Sequence, residues 1–277
     1  MRGLPDWLIY VLVLGGFVFA LFSLDEHADA PPAPPTERDE PAGALLPPPS
    51  EFDPEVLVEV GPVSSGVGTA FSIESDGWWL TARHVVDACD KVGIVVGRGS
   101  AVAALEVLVA NTADVALVRT TNAPKPIALD LNEETFRIGQ TAFHFGYPQG
   151  RPGEAASRLM GREKLVARGR YNLNEPVLAW AEIGRTGGLR GTLAGMSGGP
   201  VLDTQGKVIG VTIAESTRRG RLYTAAPSTI GALLKEHEVA AIGAPAGRLT
   251  MANYGPEADK MRRDLSVAQV VCVARNS

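Results

Sequence analysis

Gly195-Met196-Ser197-Gly198-Gly199-Pro200 sets a serine among glycines just ahead of an apolar run, and its reading decides the fold of this 277-residue chain. Upstream stand Thr81-Ala82-Arg83-His84-Val85-Val86 and Ala113-Asp114-Val115-Ala116-Leu117, so the three residue types run in the order His…Asp…Ser. A serine hydroxyl is a poor nucleophile near neutral pH. It attacks a carbonyl only when an imidazole takes its proton and a carboxylate orients that imidazole. Chain order separates the folds that solve this problem, since others run Ser…Asp…His or Asp…His…Ser. The glycines beside Ser197 allow backbone geometries that a Cβ forbids.

Working outward, the chain from Val56 breaks into short apolar or alternating runs divided by Gly, Asp, Asn and Pro, the pattern of many short strands. The first half offers strands at 56–60, 68–73, 78–81, 91–96, 103–110 and 115–119. The second offers 141–145, 164–170, 177–182, 200–202, 208–213 and 222–225. Residues 228–238 predict a helix, with Ser228 as N-cap candidate and Ile230, Leu233 and Leu234 on one face. A further helix is expected near 256–264. Closed barrels would remove the exposed strand edges.

Gly66-Val67-Gly68-Thr69-Ala70-Phe71-Ser72-Ile73, Asp76-Gly77-Trp78-Trp79-Leu80-Thr81 and His84-Val85-Val86 together resemble the start of an HtrA/Deg-type protease domain, within the chymotrypsin/trypsin-like superfamily. Asp114-Val115-Ala116-Leu117-Val118 is similar to that family's aspartate strand, and Phe145-Gly146-Tyr147-Pro148 to the turn opening its second barrel. Gly195 to Pro200, then Gly206-Lys207-Val208-Ile209-Gly210-Val211, resembles its serine loop and following strand. The likeness covers roughly residues 56–238. It implies an all-β fold of two six-stranded antiparallel β-barrels with a C-terminal helix. It also implies a serine endopeptidase with His84 as general base, Asp114 as its orienting carboxylate and Ser197 as nucleophile, with the Gly195 and Ser197 N–H groups as oxyanion hole. By position relative to Ser197, Gly191 and Thr192 fall near the base of the S1 pocket, with Val211, Thr212, Ile213 and Ala214 along one wall. No acid stands at Gly191, so small or medium apolar P1 side chains are expected. Met196 departs from the family's Asp or Asn, so activity is expected not to need a freed amino terminus.

Composition narrows the partners. With 45% hydrophobic residues, 21% charged and a net charge of −5, the chain has no basic footprint for nucleic acid. Residues 7–24 form an uncharged apolar run flanked by Arg2 and by Asp25 and Glu26. As a helix it would extend about 27 Å, close to the hydrocarbon thickness of a bilayer. A transmembrane signal anchor over 1–24 is expected, with the remainder facing the periplasm or cell exterior. A secreted form cleaved near Ala30 is the alternative. Residues 25–52 read as a proline-rich linker, with eight prolines between 31 and 50. The protease domain is expected over 53–240, with barrels at about 53–125 and 126–240, and a C-terminal extension over 241–277 packed on it. That extension is too short for the PDZ domain that usually follows.

Cys89 and Cys272 are the only cysteines. In an exported domain, where disulfides persist, a Cys89–Cys272 bridge is expected to tie the tail to the first barrel near His84, with two buried thiols as the alternative. His27, His144 and His237 lack convergent partners in the sequence, and neither a metal nor another cofactor is expected. The substrates expected are exported or misfolded polypeptides. A catalytically silent binding module on the same fold, or an esterase, competes with this reading. The sequence leaves the oligomeric state open.

Overall fold

The computed structural model describes residues 43–275, and they are mostly β. The strands are β1 (Glu55–Val60), β2 (Gly66–Glu74), β3 (Trp78–Thr81), β4 (Lys91–Gly97), β5 (Ser100–Ala103), β6 (Glu106–Val109), β7 (Ala116–Arg119), β8 (Thr141–Gly146), β9 (Gly153–Gly169), β10 (Leu173–Arg185), β11 (Pro200–Leu202), β12 (Val208–Ser216), β13 (Arg221–Ala225) and β14 (Val267–Val273). Among the described residues three α-helices accompany them: α1 (Arg83–Val86), α2 (Pro227–Glu236) and α3 (Tyr254–Arg263). The transmembrane segment expected over residues 1–24 lies outside the described residues. Among those described, no helix is long and apolar enough to cross a membrane.

The strands form two seven-stranded sheets, ordered β5-β4-β14-β2-β3-β7-β6 and β1-β9-β10-β13-β12-β11-β8. In the second, β8 also pairs with β9, so six of its strands return on themselves and β1 is added outside that ring. Two expectations are corrected here. The strand at Glu55–Val60 does not join the first sheet; it lies parallel on β9, with Glu55 opposite Lys164. Its place is taken by β14, inserted between β2 and β4, with Val267 opposite Phe71 and Val270 opposite Ile94. The reason is visible in the side chains. Val267, Ala268 and Val270 are fully buried and suit an interior position, whereas β1 alternates exposed Glu55, Leu57 and Glu59 with half-buried valines, as an edge strand does. Residues 267–273 are thus a member of the first sheet rather than an extension resting on it.

Alternation along β2 and β3 divides the core. Ala70 and Trp79 face the interior of the first sheet with Ile94, Val118 and Val270, while Phe71 and Leu80 face the other way, into a cluster shared with Phe143, Val211 and Tyr223. Each sheet buries one tryptophan whose N–H finds a threonine hydroxyl: Trp79 with Thr120 at 2.9 Å and Trp180 with Thr224 at 2.9 Å. The Cys89–Cys272 disulfide forms and joins the segment after α1 to β14. Helix α2 starts with Pro227 at its first turn rather than with a Ser228 cap, since proline's fixed φ and missing N–H suit that position. Helix α3 is held by Arg262, buried and bonded to Glu154 at 2.9 Å and Asp259 at 2.7 Å.

The last residues of the expected linker are also structured. Gly43 N–H donates to Ile138 O at 2.7 Å, Leu46 N–H to Phe136 O at 2.8 Å, and Leu46 is buried among Phe136, Trp180 and Met196. Backbone pairing and one buried leucine dock this stretch, and its prolines leave little backbone entropy to lose.

Candidate active site

Helix α1 follows directly on β3, and Asp114 immediately precedes Val115 and β7, the strand paired with β3. That pairing brings the two residues together. His84 Nδ1 lies 2.7 Å from Asp114 Oδ2, and the His84 backbone N–H donates to Oδ1 at 2.8 Å. The imidazole is 28% accessible and the carboxylate 9%, so one group faces the cleft and the other is shielded behind it. Burial pushes the imidazole pKa down, but the charge and hydrogen bond of Asp114 outweigh that. Even with Arg170 nearby opposing them, the net position is above the ordinary value of 6.5.

Ser197 reaches the same place through its backbone. Its carbonyl accepts from Thr69 N–H at 2.8 Å. Gly68, the preceding residue of β2, is wedged between two neighbours: a Cβ there would meet the Val85 methyls at 2.5 and 2.9 Å and Ser197 O at 3.1 Å. Gly198 has a φ of +86°, and a Cβ on it would overlap the Thr69 carbonyl and the Thr81 hydroxyl and crowd Ala82 N at 2.9 Å. The serine loop therefore rests on the residues either side of His84, and two glycines make that approach possible.

The peptide planes around Ser197 are locked in one orientation. Ala194 O accepts from Gln149 N–H at 2.6 Å and Met196 O from Gly199 N–H at 2.8 Å. In a trans peptide the following N–H points away from its carbonyl, so the Gly195 and Ser197 N–H groups are turned from these anchors. Among the described residues neither has an intramolecular acceptor. Thr69 Oγ1 adds a bond to Gly195 O at 2.8 Å. Met196 is fully buried beside Leu193, Leu159 and Trp180, so an apolar side chain fills its position.

The other candidates divide. Gly191 and Thr192 are exposed, the Gly191 carbonyl accepting from Arg185 at 2.8 Å. Glu215 does not present a free charge: its carboxylate takes the Thr192 hydroxyl and both oxygens lie 2.9 Å from Leu193 N. Val211, Thr212 and Ile213 are buried, leaving half-buried Ala214 as the accessible one of these four. His144 is fully buried, bonded to Thr212 at 3.1 Å and Ser157 at 2.7 Å. It has no carboxylate, and burial pushes its pKa down to about 3; it is a neutral core residue. His27 lies outside the described residues. Among those described, no cluster of three His, Cys, Asp or Glu could hold a metal ion.

Two residues behind Asp114 were not singled out by the sequence. Glu175 Oε1 accepts from Asp114 N–H at 2.8 Å, and the Tyr171 hydroxyl donates to Asp114 Oδ1 at 3.1 Å. A signal existed for Glu175: it shares the inward face of its strand with Leu173, Val177 and Ala179, where a carboxyl is out of place.

The family model of the trypsin-like peptidase domain matches residues 68–211, more than half of the chain. The chain belongs to that family. Within it, the likeness to HtrA-type proteases also extends to curated proteins. Those named "Probable periplasmic serine endoprotease DegP-like" from Pseudomonas savastanoi pv. phaseolicola and Chlamydia trachomatis are 25% identical over 157 residues and 27% over 147. The matches cover 57% and 53% of this peptidase-family chain but 31% and 28% of the relatives, so it spans about a third of their length. The active form of the Rv3671c protease from M. tuberculosis shares the fold, with a TM-score of 0.51 at 18% identity over 73% of this chain and 96% of that one.

Proposed function

We propose that the chain is a serine endopeptidase, cleaving exported or misfolded polypeptides through an acyl-enzyme intermediate. His84 Nε2 accepts the Ser197 hydroxyl proton as Oγ bonds to the scissile carbonyl carbon. The resulting oxyanion is met by the Gly195 and Ser197 N–H groups. Collapse breaks the C–N bond, and His84 returns the proton to the departing amine. Water, deprotonated in turn by His84, then releases the acid and restores the serine. The observation that carries this reading is the 2.7 Å contact between His84 and a shielded Asp114, beside a serine loop seated on the same backbone.

Each amide turned away from its anchor is the kind of donor whose removal costs about 2.7–4 kcal/mol of transition-state stabilisation. Gly191, Thr192 and Ala214 are read as the accessible S1 surface. Work outside the cytoplasm is supported by the disulfide and by the periplasmic naming of the relatives. Residues 1–24 are read as the anchor or leader that delivers the domain there. Ser197 is expected to be labelled by a fluorophosphonate, with the modified peptide identified by mass spectrometry, and casein digestion to fall about 10⁶-fold in Ser197→Ala. Equal digestion by both proteins would end this reading.

A further inference from the structure

The proposed reaction uses Asp114 through Oδ2, which meets the imidazole. Its other oxygen is held by two donors, the His84 backbone N–H at 2.8 Å and the Tyr171 hydroxyl at 3.1 Å. Tyr171 comes from the second sheet, in the turn between β9 and β10, while His84 and Asp114 belong to the first. Two guanidiniums lie over its ring. The Arg83 guanidinium lies 4.2 Å from the ring centroid and that of Arg170 lies 5.5 Å from it. Arg170 also donates to His84 O at 3.1 Å, and Asp87 balances both arginines, at 3.4 Å from Arg83 and 4.0 Å from Arg170. Glu175, on the same hairpin, accepts the Asp114 N–H. Burial, followed by the Asp114 charge and hydrogen bond, raises the phenol well above its usual pKa, so the hydroxyl keeps its proton and donates it.

We propose that Tyr171 is a positioning residue for the peptidase reaction: its hydroxyl, delivered by the β9–β10 hairpin, fixes the plane of the Asp114 carboxylate and tempers its pull on His84. The His84 N–H already holds Oδ1; the Tyr171 hydroxyl adds a second donor there, anchored in the other sheet, and resists rotation of the carboxylate away from the imidazole. Sharing its charge with a phenol makes it a weaker acceptor for the imidazolium. The idea rests on the peptidase reading, but its physical core does not need turnover to be seen.

Tyr171→Phe removes the hydroxyl and keeps the ring against its two arginines. In the full-length chain we expect kcat on a peptide substrate to fall about tenfold, the size of one hydrogen bond to a charged group, with KM unchanged. The acidic limb of the pH profile moves to higher pH, because the unshared carboxylate holds the imidazole proton more tightly. The same upward shift is expected in the His84 imidazole titration read by NMR. A variant with the wild-type imidazole titration overturns the proposal, whatever its activity. Should the wild type cleave no peptide, the endopeptidase reading fails while the titration still decides the role of Tyr171. If Tyr171→Phe does not fold, 3-fluorotyrosine at position 171 supplies a stronger donor on the same ring. It must move the imidazole titration downward, and no movement rejects the hydroxyl as the cause.

Discussion

His84, on α1 beside the first sheet, and His144, on β8 of the second, are the same residue, and they end with opposite chemistry. His84 sits at the cleft, with a carboxylate on one nitrogen and its own N–H tied to the same group. His144 is sealed between β9 and β12 with a hydroxyl at each nitrogen. Burial opposes a positive charge at both. Only at His84 is a full negative charge close enough to reverse that, which leaves one imidazole raised and the other at about 3. The lesson is that a hydrogen-bonded histidine becomes a base through an anion and an open face, and hydroxyl partners give it neither.

The most severe way to break this contrast is to remove the anion. Asp114→Asn is expected to lower turnover about 10⁴-fold while leaving the fold intact, as the equivalent change does in the Ser-His-Asp template. Kinetics with a peptide substrate, together with a thermal melt, check this. An effect below tenfold would mean that Asp114 does not distinguish the two histidines.

His144→Leu sharpens the comparison from the other side. It leaves the Ser157 and Thr212 hydroxyls without their partner, at a cost of about 1–3 kcal/mol, yet turnover per folded molecule should not change. The wild-type histidine is depressed, so its unfolded form takes up a proton below 6.5 that the folded form refuses until about 3. Stability therefore falls with pH across that window, and the variant should lack this component. Urea unfolding at several pH values, with active-site titration, reads both effects.

The smallest effect concerns the second carboxyl beside Asp114. Burial, followed by the Asp114 charge, raises Glu175 from 4.5 to about 8, the hydrogen bond from Asp114 N–H opposing the shift. The folded protein then keeps a proton that the unfolded chain releases, so stability declines as pH rises from about 4.5 to about 8. Glu175→Gln preserves the acceptor for Asp114 N–H and should flatten that decline. Denaturation midpoints at the two ends of the window are the measurement, and an unchanged slope would show Glu175 ionised in the fold.

Much of the site was legible because its parts are local. Thr81 to Val86, Asp114 to Leu117 and Gly195 to Pro200 each carry their chemistry within a few residues, and their order chose among folds. The Cys89–Cys272 bridge followed from two cysteines and a compartment. Strand membership was harder. The alternation at 267–273 announces a strand but says nothing of its neighbours, because pairing is set by which faces need cover elsewhere. The same blindness placed the 56–60 strand in the wrong sheet. Tyr171 escaped notice because a lone tyrosine in a polar turn carries no pattern, and only the crossing between sheets reveals what it touches.

The position of β14 has a consequence for how the protein comes into being. The sheet beside His84 and Asp114 has a gap between β2 and β4 until residues 267–273 arrive, later in the chain than every other strand described. The strands on either side of that gap can therefore emerge and begin to collapse, but the first sheet is complete only after every strand of the second has been made. The order in which the strands are made thus couples completion of the first sheet to that of the second.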